Sequence, residues 1–155
     1  MRVGIGFDVH SFKTGRRLVL GGVEIEYNKG LSGHSDADVL VHAIMDALLG
    51  AAGLRDIGVY FPDTDIRYKN ISSLLLLKEV KNIISGKGFK IINIDSTLIL
   101  EKPKVSPYIT AMLNKLSGAL ELDPGHIGIK ATTTEGLGFC GREEGIAAQS
   151  IALLE

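Results

Sequence analysis

Asp8 and His10, in the run Gly4-Ile-Gly-Phe-Asp-Val-His10, stand two residues apart. On a strand both side chains leave the same face. His42 follows Gly33-His34-Ser35-Asp-Ala-Asp38 and sits about one turn past Asp38 on a stretch that reads as a helix. One carboxylate and two imidazoles suffice to hold a zinc ion with its fourth position open, the arrangement of a catalytic site. The set forms only if that helix packs against the first strand, which is the usual fate of neighbouring elements in a small domain. The competing assignment makes Asp8 a turn residue and the histidines ordinary core or surface residues. Asp38, His42 and Asp46 form an ionisable stripe at i, i+4, i+8. From there Asp38 and Asp46 could orient the imidazoles, or simply face solvent.

Two further stretches carry chemistry. His34-Ser35 precedes the helix start, where free backbone N–H groups and the positive dipole end favour an anion. Lys130-Ala-Thr132-Thr133-Thr134-Glu135 puts three hydroxyls beside a carboxylate. Threonines at a strand end can donate to phosphate oxygens, although β-propensity alone also explains them. A carboxylate beside phosphates is repelled unless a divalent cation lies between, so Glu135 suggests a second metal bound jointly with substrate. Arg142, after Gly138-Phe139-Cys140-Gly141, can clamp an anion or pair with Glu144.

Bulk properties narrow the field. A chain of 155 residues with 45% hydrophobic and 23% charged content suits one folded domain, 1–155. Seventeen basic against 18 acidic residues leave a net charge of −1, with no basic excess to attract nucleic acid. Any phosphate must therefore be held by local groups and metal. One cysteine, Cys140, rules out an internal disulfide and fits a reducing, cytoplasmic setting. Leu74–Leu77 is too short to span a bilayer, and residues 1–10 lack the form of a signal peptide.

The elements that must position these groups follow from periodicity. Residues 2–10 alternate as a strand, with Val3, Ile5, Phe7 and Val9 on one face and Gly4, Gly6, Asp8 and His10 on the other. Residues 18–20 and 23–27 form a hairpin about Gly21-Gly22, and 28–36 a Gly-rich loop. Asp36 is the expected N-cap of a helix from about Ala37 to Gly50. Residues 53–69 read as a long turn-rich loop of functional character. A helix follows to about Ser85, then a strand over 89–101, a helix over 108–120, and strands over 127–132 and 146–154. This order predicts an α+β fold, one sheet with helices on one of its faces.

Taken together, Gly6-Phe-Asp-Val-His10, His34-Ser-Asp-Ala-Asp38, His42-Ala-Ile-Met-Asp-Ala-Leu-Leu-Gly50, Asp56-Ile-Gly58, Phe61-Pro-Asp-Thr-Asp65 and Lys130-Ala-Thr-Thr-Thr-Glu135 resemble the 2-C-methyl-D-erythritol 2,4-cyclodiphosphate synthase family of the non-mevalonate isoprenoid pathway. The likeness runs from the first strand to the last. It implies a mainly four-stranded mixed sheet, and a homotrimer whose three sheets line a central cavity, with an active site at each subunit interface. Asp8, His10 and His42 would hold one Zn²⁺ per subunit, and Glu135 would hold Mg²⁺ or Mn²⁺ together with substrate. His34 and Thr133 would stabilise the transition state. Substrate contacts would come from Asp8, Val9, His10, His34, Ser35, Asp56, Ile57, Gly58 and the loop Phe61, Pro62, Asp63, Thr64, Asp65. A neighbouring subunit would add a cytidine pocket from Leu100, Glu101, Lys102, Pro103, Lys104, Val105 and Ser106 with Ala131, Thr132, Thr133, Thr134 and Glu135. Phe139 and Arg142 would face the cavity, which can accept an isoprenoid diphosphate.

The implied reaction closes a ring. The 2-phosphate of 4-diphosphocytidyl-2-C-methyl-D-erythritol 2-phosphate attacks the β-phosphorus, and CMP leaves. Leu100, Val105-Ser106 and Glu143 depart from the family's usual pattern, which has a smaller residue at 100, a bulkier apolar pair at 105–106 and a small residue at 143. Two other functions fit parts of the pattern: a zinc-dependent phosphoesterase, and a non-catalytic trimer that binds isoprenoid diphosphates.

Overall fold

The fold grows from one strand laid against one helix. The computed structural model describes residues 1–155. Strand β1 (Arg2–Thr14) is followed by the hairpin β2 (Leu18–Leu20) and β3 (Val23–Ile25), then by β4 (Lys29–Leu31). Helix α1 (Val39–Ala51), the single-turn α2 (Ile57–Tyr60) and helix α3 (Ser73–Gly86) come next. Then follow β5 (Ile91–Ile99), α4 (Ile109–Leu120), β6 (Ile127–Thr132), the single-turn α5 (Gly138–Gly141) and β7 (Gly145–Leu154). The main sheet has the order β4-β1-β7-β5-β6. Only β5 and β6 are parallel. The α+β mixed sheet is as expected, with a fifth strand: β4 pairs with the end of β1, Phe12 opposite Leu31. That pairing carries β1 four residues past its expected end and converts part of the Gly-rich loop into strand.

Eleven of the thirteen residues of α1 are buried. A helix apolar on all sides must be covered on all sides. The sheet covers one flank of α1, and α3, which packs against α4 in turn, covers another. The side of α1 against β1 is built from small residues. A Cβ added at Gly4 would lie 2.1 Å from the Ala47 carbonyl oxygen, and one at Gly6 would lie 2.0 Å from that of Ala43. No side chain fits there, so backbone lies on backbone. The other face of β1 is turned away from the helices. Val3, Ile5, Phe7 and Val9 are 68, 62, 57 and 39% exposed there, joined by Ile151 of β7. An apolar stripe of this kind on an open sheet face marks an interaction surface.

The start of α1 differs from expectation. Ala37 adopts φ +58, a left-handed turn that carries the chain past Asp36, and the helix is capped by Asp38 two residues later. Asp38 is fully buried and accepts backbone N–H bonds from Val41 at 3.2 Å, Gly21 at 2.9 Å and Gly22 at 2.6 Å. It thereby ties the β2–β3 hairpin to α1. Asp36 instead receives the Ser73 backbone N–H at 2.9 Å, at the first residue of α3. The expected long loop over 53–69 holds two single turns, α2 and the 3₁₀ turn Ile66–Tyr68. Both α2 and α5 are too short to leave a periodicity in the sequence.

Gly6→Ala should destabilise the protein by at least about 1–3 kcal/mol through overpacking against α1. Gly118→Ala, on the exposed side of α4 where an added Cβ meets nothing within 4 Å, should stabilise it by about 0.5–1 kcal/mol. Urea unfolding midpoints of the two variants check both signs.

Candidate metal centre and adjoining pockets

The close approach of β1 to α1 brings Asp8, His10 and His42 together. Asp8 Oδ2 lies 3.0 Å from His10 Nε2 and 3.0 Å from His42 Nδ1, and the two nitrogens are 3.1 Å apart. Each ring is fixed from behind. His10 Nδ1 is 2.7 Å from the Ser32 carbonyl oxygen, which only accepts, so Nδ1 carries the proton and Nε2 presents a lone pair. His42 Nε2 lies 3.0 Å from Ser73 Oγ, and that hydroxyl donates its one hydrogen to Asp36 Oδ1 at 2.5 Å. Nε2 must then donate to Ser73, and His42 Nδ1 presents a lone pair as well.

Three acceptor atoms thus face one point with no hydrogen among them. That arrangement is repulsive until a cation or a proton enters. A tetrahedral ion with bonds of about 2.0–2.1 Å has donor-to-donor edges of roughly 3.3 Å, close to the spacing seen. The donor set, two nitrogens and one oxygen, suits Zn²⁺. Without metal, a proton takes the place. Burial opposes the charged form of Asp8, but its contacts with His10 and His42 outweigh that and hold the carboxyl far below the usual range. Burial likewise opposes protonation of His10, and the neighbouring Asp8 carboxylate more than offsets it, raising the imidazole above its ordinary 6.5.

The centre opens into a pocket of about 300 Å³ lined by Ser32, Gly33, His34, Ser35, Met45, Ile57, Phe61, Asp63, Tyr68 and Leu76 as well as the two histidines. His34 Nε2 is 3.3 Å from the Asp65 carbonyl oxygen, so the imidazole stands against the 61–65 loop. Phe61 meets Tyr68 edge-on at 5.5 Å, which braces that loop. The Asp65 carboxylate is held by Arg67, at 2.6 Å. Pro62 and Thr64 belong to the same loop outside the pocket lining, and Asp56 and Gly58 are exposed at the start of α2. Val9 stands on the opposite face of β1 from Asp8 and His10, so only its backbone lies beside the metal centre.

A second pocket, of about 230 Å³, gathers Leu100, Glu101, Pro103, Lys104, Val105 and Ser106 with Ala131, Thr132 and Thr133. Leu100 and Val105, at 4 and 3% exposure, form its floor. The Glu101 carboxylate is already engaged: it accepts from the backbone N–H groups of Thr134, at 3.0 Å, and Gly136, at 3.2 Å, and so shapes the threonine loop. Thr133 Oγ1 donates to Glu135 at 2.7 Å. Lys102 points out of the pocket to Glu143, 3.0 Å away. The structure does not bring the two pockets together. Val9, Ala147, Ile99 and Thr132 lie in one row across β1, β7, β5 and β6, and three strand spacings make about 14 Å. His34 and Thr133 therefore sit at separate half-pockets.

Other expectations need correction. Asp38 and Asp46 do not touch the imidazoles. Asp38 is spent on capping, and burial beside Asp36 pushes its carboxyl up to about 6 against three N–H bonds. Asp46 accepts the Ile57 N–H at 2.8 Å and positions α2. Of the two outcomes expected for Arg142, the structure shows the pairing with Glu144, at 2.8 Å. Phe139 lines a third, apolar cavity of about 210 Å³ with Phe7, Ile99, Leu137 and Cys140. Ser32, Ser73, Met45, Tyr68 and Leu76 escaped the sequence reading. No local pattern marks their roles: Ser73, Tyr68 and Leu76 come from a distant part of the chain, and Ser32 and Met45, though close in sequence to His34 and His42, carry no distinguishing signal.

Fold and centre together define a small α+β protein with a candidate three-ligand metal site at a strand–helix junction. The chain belongs to the YgbB family, which it matches over residues 1–155. A curated relative from Clostridium acetobutylicum, named 2-C-methyl-D-erythritol 2,4-cyclodiphosphate synthase, is 66% identical over 154 residues, 99% of either chain. One of the same name from Chlorobium phaeobacteroides is 57% identical over 155 residues, 100% of this chain and 98% of its own. Among solved structures, the bifunctional IspDF of Campylobacter jejuni superposes with a TM-score of 0.95 at 48% identity; the match spans 99% of this chain but only 42% of that one. A CDP-bound 2C-methyl-D-erythritol-2,4-cyclodiphosphate synthase gives 0.91 at 37% identity, over 99% of this chain and 100% of that one.

Because a metal must displace the proton that Asp8 holds on His10, zinc affinity should fall as pH drops through the raised His10 pKa, approaching tenfold per pH unit below it. Zinc titrations against a chromophoric chelator between about pH 5 and 8.5 check the slope.

Proposed function

We propose that this chain converts 4-diphosphocytidyl-2-C-methyl-D-erythritol 2-phosphate to 2-C-methyl-D-erythritol 2,4-cyclodiphosphate and CMP. The observation that carries the reading is the convergence of Asp8, His10 and His42 beside the His34–Ser35 pocket, in a chain that matches proteins of that name end to end. An oxygen of the 2-phosphate attacks the β-phosphorus, the bond from that phosphorus to the bridging oxygen breaks, and CMP departs with the electron pair. The substrate carries its own nucleophile, so the protein has to position and neutralise.

Asp8, His10 and His42 would hold Zn²⁺, and Glu135 would share Mg²⁺ or Mn²⁺ with the diphosphate. Bound there, the two cations supply Lewis-acidic charge to the reacting phosphates. Ser35 Oγ accepts the Ala37 N–H at 3.1 Å, which leaves its own hydrogen for a phosphate oxygen. His34 lies where it can donate to the same group, and Thr133 reaches the reacting phosphates from the other half-pocket once its hydroxyl leaves Glu135. The loop 61–65 covers the methylerythritol portion. The second pocket takes cytidine, through backbone groups of 100–106 and 131–135.

Because the half-pockets lie about three strand spacings apart in one chain, the complete site needs a second copy. A homotrimer built on the exposed β1–β7 face satisfies this and covers Val3, Ile5, Phe7, Val9 and Ile151. The cavity at Phe7, Leu137 and Phe139 would then lie at the centre of the assembly and offer an apolar wall to an isoprenoid chain. A diphosphate there would have to draw Arg142 from Glu144. A cytoplasmic setting belongs to the same proposal; no helix is long and apolar enough to cross a membrane.

Incubation with the nucleotide substrate, zinc and magnesium should release CMP and give a product whose ³¹P spectrum shows both phosphates in one ring. A linear product overturns the proposal. His42→Ala should reduce turnover by more than the roughly 10–100-fold that loss of an outer partner costs, and sedimentation should give three times the chain mass.

A further inference from the structure

We infer that Ser73 and Asp36 are positioning residues for the metal centre: together they fix the tautomer of His42, so that the nitrogen facing the ion position carries a lone pair and not a hydrogen. The inference rests on the metal reading of Asp8, His10 and His42. It concerns two residues that touch neither the ion position nor the pocket expected to hold substrate.

The argument is one of hydrogen counting. Ser73 is fully buried and its hydroxyl has one hydrogen. Two neighbours compete for it, His42 Nε2 at 3.0 Å and Asp36 Oδ1 at 2.5 Å. A carboxylate can only accept, so it takes the hydrogen and Ser73 Oγ becomes an acceptor toward His42. An imidazole whose Nε2 donates has its lone pair on Nδ1, the atom that faces Asp8 and His10. Without Asp36, the hydroxyl could turn to His42 and favour the other tautomer, which would place a hydrogen where the ion belongs. Ser35 Oγ is a poorer substitute acceptor, at 3.3 Å, and already accepts from Ala37.

Asp36 is itself well anchored. Its second oxygen accepts the Ser73 N–H at 2.9 Å, and its own N–H donates to Ile71 at 3.1 Å. The Asn70 N–H donates to the His34 carbonyl at 2.8 Å. The start of α3 and the 34–36 segment therefore form one closed unit. His34, Ser35 and the orientation of His42 are set by the same set of bonds, so a displacement of α3 would reach the ligand and the pocket together. His10 has a simpler arrangement, since the Ser32 carbonyl can only accept.

Titration with zinc alone, against a chelator of known affinity, tests this. Ser73→Ala should bind zinc roughly 10–100-fold more weakly than the parent, and Ser73→Thr, which keeps the hydroxyl, should recover most of the loss. Independently, ¹⁵N spectra of metal-free parent with labelled histidines, above about pH 8 where free imidazoles are neutral, should show His42 protonated on Nε2. Equal zinc affinity in the parent and Ser73→Ala overturns the inference while leaving the metal reading intact, as does an Nδ1-protonated His42. A parent that takes up no zinc overturns both.

Discussion

The contact of β1 with α1 through bare backbone is the constraint on which the remainder depends. Two glycines, Gly4 and Gly6, meet the carbonyls of Ala47 and Ala43 at distances that exclude any side chain. This draws strand and helix close enough for Asp8 and His10, farther along the same face of β1, to reach His42. A bulkier interface would hold the helix away and open the gap that a single ion has to bridge. The close contact also has a cost: the apolar residues of β1 alternate onto the other face, where one chain leaves them exposed.

The centre illustrates how hydrogen-bond direction decides chemistry. Distances alone would allow Asp8, His10 and His42 to be a hydrogen-bonded trio. The partners behind the rings remove that reading, because Ser32 and the Asp36–Ser73 pair take the imidazole hydrogens outward. What faces inward is one charge and two lone pairs. A proton on His10 answers the charge of Asp8 alone, whereas a divalent cation engages all three donors at once. The same logic applies to the threonine loop: the Glu101 carboxylate accepts the backbone N–H groups of Thr134 and Gly136 and so fixes the path of the chain there.

The sheet's topology separates what the chemistry must join. β1 lies near one edge and β6 forms the other, with β7 and β5 between them. Both half-pockets sit at the end of the sheet where β1, β5 and β6 finish, yet several strand widths apart. An arrangement with one complete half at each side of the sheet invites association of copies side by side, and the exposed apolar stripe lies on the face that such copies would share.

The longer strands and helices and the ligand triad were legible in the sequence because each rests on a local signal, whereas the pocket formed by 100–106 and 131–133 was reached only through resemblance to a family. Alternation placed Asp8 and His10 on the glycine face of β1, and helical spacing placed His42 on α1. Where the signal is local but ambiguous, tertiary structure decided. Asp36 and Asp38 are both good caps, and the left-handed turn at Ala37 awarded the helix to Asp38. The roles of Asp38 and Asp46 could not be read from their stripe on α1, since their partners, Gly21, Gly22 and Ile57, come from other elements. The role of Ser73 at the centre and the strand β4 could not be read along the chain: one depends on a bond to a residue 31 positions away, the other is three residues long and exists only because β1 lies beside it. Side-chain period and capping chemistry are written along the chain. Which acceptor meets which donor across the fold is set only when packing brings them within reach.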